Sequence, residues 1–302
     1  MLTNQFKINY SVGSIANGIK TDTFTFFLLF FYSNIIGLNP GLAGTAIFIA
    51  LCVDAFTDPL MGTISDRTNT TFGRRHPYMF ISFIPMSLGY IFLFAPRQDW
   101  DMSQSDLFVW MTIFTILTRI GMTLFDIPHR AFGGEITKNY NERTLLMSWR
   151  EMFAWVAGLS NAFLGYGVFF ASTPEFPQGQ LNPDAWFPFA LTGALIMIAS
   201  VLYSSLSTKN EINSLSKWSG SITLGAILNE LKIALGNKSF LIFFFGNLFL
   251  SLAWGLANTL TLFVNTYFWE FEATQIKYFL PIYLFATLFA FYLTPIMVKL
   301  YD

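Results

Sequence analysis

Eight long apolar runs, set apart by polar or Pro/Gly-punctuated links, leave this chain few architectures. They occupy roughly 12–36, 42–64, 78–96, 106–128, 146–171, 185–206, 240–266 and 275–298. At ~1.5 Å of rise per residue, about 20 helical residues cross the ~30 Å hydrocarbon core of a bilayer. The runs therefore predict about eight membrane helices. The composition agrees: 12% of residues are charged, about half the share of an ordinary soluble domain. The 36 Phe are too many for one soluble core but can face acyl chains, which are equally apolar.

The links fall at 38–41, 66–77, 174–183 and 208–239, and the last of them predicts a boundary between two bundles. The expected division is a six-helix bundle over 1–206, a cytoplasmic linker over 207–239, and the first two helices of an incomplete second bundle over 240–302. Within the linker, Leu224, Ile227, Leu228, Leu231, Ala234 and Leu235 follow the i, i+3, i+4, i+7 pattern of an amphipathic helix. Such a helix is expected on the inner membrane surface. Basic residues in short loops set orientation. Arg67, Arg74, Arg75, Arg130, Lys138 and Arg143 fall on one side, and only Arg97 and Lys277 on the other. Both ends of the chain are thus expected to be cytoplasmic, in an integral multi-pass protein of a bacterial inner membrane.

Several function classes are excluded or disfavoured. A net charge of −1 argues against a nucleic-acid surface. A single cysteine, Cys52, excludes an intrachain disulfide, and its apolar setting predicts buried filler. The first residues lack a charged segment followed by an apolar core and a small-residue cleavage site, so helix one is expected to act as the insertion signal. No catalytic triad, thiol nucleophile, phosphate-cradling glycine loop or Cys/His metal cluster is evident, and no cofactor is expected.

The chemistry lies in charges placed where a membrane penalises them. An ionisable group at the bilayer centre costs at least about 2.5 kcal/mol. Asp54 and Asp58 stand four residues apart on helix two, hence on one face, with Thr57 beside them. Arg119, Thr123 and Asp126 share a face of helix four. Two carboxylates one turn apart repel unless a cation sits between them, and a bound Na⁺ or a shared proton would serve. Small alkali ions take oxygen ligands, which Asp54, Asp58, Thr57 and Thr123 supply. The alternative is an ion pair of one aspartate with Arg119 that only ties the two helices together. Lys20 and Asp22 lie ~200° apart on helix one, so one is expected to line a cavity, with Lys20 a candidate for substrate, while the other snorkels. Arg150 and Glu151 open helix five near the surface, where solvation or mutual pairing is expected. His76 and His129 are expected at the surface.

These residues carry a resemblance. The 62–67 segment Gly-Thr-Ile-Ser-Asp-Arg, followed by Gly73-Arg74-Arg75, resembles the signature loop of the major facilitator superfamily, with extra residues in its middle. The 54–62 segment Asp-Ala-Phe-Thr-Asp-Pro-Leu-Met-Gly, the 73–78 segment Gly-Arg-Arg-His-Pro-Tyr, Asp126-Ile127-Pro128 and Asn141-Glu142-Arg143-Thr144 resemble the glycoside-pentoside-hexuronide:cation symporters, the melibiose permease group. The resemblance implies an all-α fold of twelve helices in two bundles, with solute and cation near the midplane between them and alternating access by rocking. About eight of the twelve fall in this chain, which is then expected to be a fragment or truncated product. Carried over by position, the family's cation ligands fall on Asp54, Asp58 and Thr123, with Thr57 where an Asn is usual, and its helix-four sugar aspartate falls on Asp126. Three positions depart: the helix-one sugar aspartate is Gly18, the Trp after Asp-Ile-Pro is Arg130, and the helix-five Arg is Glu151 with Arg150 adjacent.

The expected function is a monomeric Na⁺- or H⁺-coupled symporter for a sugar, glycoside or related polar solute. Asp126, Arg119, Lys20 and Arg150 are its candidate solute residues. A lipid transporter or non-transporting sensor on the same scaffold is the alternative. A Mg²⁺-dependent membrane transferase would need a second acidic cluster facing Asp54 and Asp58.

Overall fold

The computed structural model describes residues 2–209, 211, 232, 233 and 235–301. All eight expected helices are present among them. They are α1 (4–36), α2 (Pro40–Arg67), α3 (His76–Leu93), α4 (Gln104–Glu135), α5 (Tyr140–Phe169), α6 (Pro183–Ser207), α7 (Lys238–Phe268) and α8 (Ala273–Tyr301). Seven of them, α2 to α8, contain stretches long and apolar enough to cross a membrane. Most ends extend beyond the apolar runs, because capped polar turns continue the helix past the hydrocarbon. Asn39, Ser103, Asn139 and Asn237 each accept a hydrogen bond from a backbone N–H one or two residues into the following helix or its first turn. Two helices carry an internal proline, Pro59 in α2 and Pro128 in α4.

The first helix begins at Asn4, eight residues before its apolar run, and is not uniform. It passes through Asn4–Val12 and Ser14–Asp22, widens into a π-helical turn over Thr23–Phe27, and widens again over Phe31–Ile36. It stops at Gly37, whose φ of +87° lies in the left-handed region that favours glycine. The C-terminal half of α1 is held by an aromatic core. Phe27, Phe30 and Phe31 pack against Phe94, Phe170, Trp186 and Phe189, with the Phe170 and Trp186 ring centroids 4.7 Å apart. The Tyr32 hydroxyl donates to the Leu93 carbonyl across 2.7 Å.

Two helix pairs approach too closely for side chains at the crossing. A Cβ on Gly18 would overlap the Ala154 carbonyl, joining α1 to α5, and one on Gly121 would overlap the Met86 backbone, joining α3 to α4. Small residues at such crossings let backbones pack without a hydrophobic driving force. At the basic end, Arg75 bridges Asp66 on α2 and Glu135 on α4 at 2.7 Å each, and Arg74 joins Glu135 at 2.8 Å. At the opposite end, the link between α5 and α6 ties down α7. The Gln180 side chain donates to the Thr266 hydroxyl and the Phe271 carbonyl, each at 3.2 Å. Tyr267 donates to Asn34 at 2.8 Å.

Three expectations are corrected. Cys52 is exposed, on an α2 surface shared with Leu51 and Phe56, because α2 buries few of its residues within the described chain. His76 and His129 are buried, not superficial. Each turns inward to a polar partner, His76 to the Thr208 hydroxyl at 3.1 Å and His129 to the Tyr10 carbonyl at 3.0 Å, and Tyr10 stacks on His129 with centroids 4.1 Å apart. The amphipathic segment lies almost wholly outside the described residues.

The close crossings give a direct test. Gly121→Val should lower stability by about 1–3 kcal/mol, the usual result of overpacking. Gly134→Ala, where an added Cβ meets nothing, should be neutral or slightly stabilising. Heating the detergent-purified protein and measuring the monodisperse fraction left would separate the two.

Candidate cation and solute site

The site grows from the long contact between α2 and α4. Spacings of four and three residues put Asp54 and Asp58 on one α2 face and Arg119, Thr123 and Asp126 on the facing side of α4. The two faces pair in register. Arg119 forms an ion pair with Asp54, and one turn along, the Thr123 hydroxyl donates to Asp58 Oδ1 at 2.7 Å. The ion pair, one of the two alternatives open in the sequence, is therefore made by Asp54 and not by Asp58. Asp54 has a guanidinium partner. Asp58 has a hydroxyl partner and no ion-pair partner among the described residues. Thr57 Oγ1 turns back to the Asp54 carbonyl at 3.5 Å, at the limit of a hydrogen bond, and donates to neither carboxylate.

Helix α1 closes one side. The Phe24 ring lies 5.5 Å from the Arg119 guanidinium and 5.9 Å from the Lys20 ammonium, within range of a cation–π attraction. Lys20 makes no hydrogen bond or ion pair among the described residues and is half-buried, a spare positive charge beside the Arg119–Asp54 pair. Asp22 does not snorkel; it is buried against α5.

Towards the basic end, both oxygens of Asp126 are taken by guanidinium groups. Arg130 Nε donates to Oδ2 at 2.6 Å, and Arg150 pairs with Oδ1. Arg150 also meets Glu151 at 2.5 Å. Its side chain is only 1% exposed, so it is no solvated interfacial residue. Arg130, one of the three departures from the family pattern, and Arg150, next to the departure at Glu151, converge on Asp126, while Glu151 pairs with Arg150. Any solute contact at Asp126 would have to work with or displace these cations. No group of three or more His, Cys, Asp or Glu side chains that could hold a metal ion occurs among the described residues.

The burial of Asp22, His76 and His129 escaped sequence reasoning. Their partners lie 119 to 136 residues away in the chain, and helical periodicity carries no signal of that range.

Apolar membrane-length helices around a paired-acid centre define an integral, multi-pass, all-α membrane protein. The chain belongs to the MFS/sugar transport protein family, whose model matches residues 9–301. It is 31% identical over 203 residues to an uncharacterized symporter of Synechocystis sp., covering 66% of this chain and 36% of that protein. It is 25% identical over 227 residues to the isoprimeverose transporter of Lactiplantibacillus pentosus, covering 75% and 46%. With sodium-dependent lysophosphatidylcholine symporter 1-A of Danio rerio the identity is 31% over 179 residues, covering 57% and 32%. The chain thus spans under half the length of each of these relatives. The family is one of transport proteins, not enzymes, which sets the transferase reading aside.

Removing one partner of a buried ion pair strands the other charge, typically at about 3–5 kcal/mol. Asp126→Asn should therefore destabilise the protein strongly by leaving Arg150 without its main counter-charge. Arg150→Met combined with Asp126→Leu should recover much of the loss. Asp58→Asn, which strands no cation, should cost far less in the same thermal assay.

Proposed function

We propose that this chain forms the cation-binding part of a symporter that couples Na⁺ or H⁺ movement to uptake of a sugar, glycoside or related polar organic solute by alternating access. The observation that carries the reading is Asp58: a carboxylate on a membrane helix, held by the Thr123 hydroxyl at 2.7 Å, with no cationic partner among the described residues. A negative charge in hydrocarbon calls for neutralisation, and a travelling cation supplies it. Asp58 and Thr123 offer the oxygen ligands a hard monovalent ion takes. Asp54, one turn away, joins them when Arg119 lets go, and Thr57 lines the same turn.

In this reading the coupling is electrostatic. A cation arriving at Asp58 competes with Arg119 for Asp54, and the released guanidinium is free to meet solute. Lys20 stands beside Arg119 as a second donor, which suits a solute with an anionic or hydroxyl-rich group. The Arg150–Asp126–Arg130 cluster responds to solute from the basic end. In this reading that end, which carries the basic loops, faces the cytoplasm from a bacterial inner membrane. The bundle division at 206 and 240 completes the proposal, with the protein acting as a monomer in the lipid bilayer.

A second reading, a lysolipid-like solute, is favoured by one feature. A largely apolar crevice of about 380 Å³, lined by Ile15, Ile19, Phe153, Val156, Leu164 and Ile196, lies along α1, α5 and α6.

Radiolabelled Na⁺ binding to the purified protein tests the cation site. Asp58→Asn should weaken binding by about tenfold or more, equivalent to at least ~1.4 kcal/mol, and Thr123→Val should weaken it less. If Asp58→Asn binds Na⁺ as the parent does, and proton release on solute addition is also unchanged, the site is misassigned. Thermal stabilisation by sugars rather than lysolipids would separate the two solute readings.

A further inference from the structure

One buried acid takes no part in the site just described. Asp22 sits near the middle of α1, 9% exposed, where α1 and α5 come closest. Its carboxylate fills the space that a Cβ on Gly158 would occupy. One turn earlier, Gly18 meets the Ala154 carbonyl, so the two glycines let the helices close over the acid. Oδ2 is sealed from solvent and accepts no hydrogen bond among the described residues, and the side chain makes no ion pair there.

The surroundings decide what can neutralise it. The helices packed on this stretch of α1 are α4, α5, α6 and α7. Arg119 and Asp126 on α4 and Arg150 and Glu151 on α5 are engaged with Asp54 or with one another. The other charges on these helices, Asp106, Arg130, Glu135, Glu142, Arg143, Asp184 and Lys238, lie near helix ends. On α1 itself, Lys7 is four turns away and the Lys20 ammonium lies over Phe24, on the other side of the helix. A metal ion would need several oxygen ligands, whereas α5 offers a glycine at the point of contact. A proton needs only one oxygen.

We infer that Asp22 is a proton-binding site, separate from the Asp54–Asp58 pair, which α1 and α5 seal by closing over it between Gly18 and Gly158. Gly158 covers the Oδ2 side of the acid while Oδ1 stays at the edge of the contact, so its proton occupancy follows the α1–α5 contact and not the cation.

Infrared spectroscopy of the purified protein in lipid tests this. The spectrum of the parent minus that of Asp22→Asn should contain a protonated-carboxyl C=O stretch, present equally with and without Na⁺. A difference showing carboxylate stretches instead would overturn the proposal. A second measurement needs no variant: the apolar reagent dicyclohexylcarbodiimide attacks protonated acids in membranes. It should leave an adduct on the peptide carrying Asp22, lost as pH is raised and insensitive to Na⁺. Absence of that adduct at every pH, or its suppression by Na⁺, would also overturn it.

Discussion

The cost of a bare charge in hydrocarbon orders this structure. Every ionised side chain placed within the helices has to be answered by something. The answers at the site are specific: Arg119 for Asp54, two guanidinium groups for Asp126, and Thr123 for Asp58. Arg130 answers Asp126 from the same helix, but Arg119, Thr123 and Arg150 each answer an acid on a neighbouring helix, so these charges double as cross-links, binding α2 to α4 and α4 to α5. These pairs add to the packing between α2 and α4, since lipid provides no hydrophobic drive for helices to associate.

The arrangement separates paired from unpaired charge among the described residues. Arg150, almost fully enclosed, pairs with Asp126 across α5 and α4, and Arg130 pairs with the same carboxylate from α4 itself. Asp58 and Lys20 are of opposite sign and lack an ionic partner among the described residues, on either side of the Arg119–Asp54 pair. Under the proposed coupling, the cation and the solute would supply the counter-charges that Asp58 and Lys20 lack. The coupling proposed above would need no long pathway, because Asp54, Asp58, Arg119 and Thr123 lie within two turns of one another on α2 and α4.

Much of this was legible in the sequence. The eight apolar runs gave helix number and order, since membrane thickness sets a length that few other folds demand. The spacing of Asp54, Asp58, Arg119, Thr123 and Asp126 gave the facing surfaces, since a helix repeats every 3.6 residues. Which aspartate took the arginine was not legible, because both lie within reach of the same face. Nor was the burial of Asp22, His76, His129 and Arg150, which depends on close crossings between segments far apart in sequence. The exposure of Cys52 failed for a related reason: an apolar neighbourhood in the chain says nothing about which side of a membrane helix meets another helix.

Pro59 directly follows Asp58, and Pro128 stands two positions beyond Asp126. Proline has no N–H to give, so each deprives the main-chain carbonyl four residues earlier, that of Ala55 or Leu124, of its usual helical donor. Beside each acid there is thus a backbone dipole whose negative end is unspent. Such an oxygen persists through any change of side chain at these aspartates, so a variant can lose its formal charge while the helix keeps a local electronegative notch.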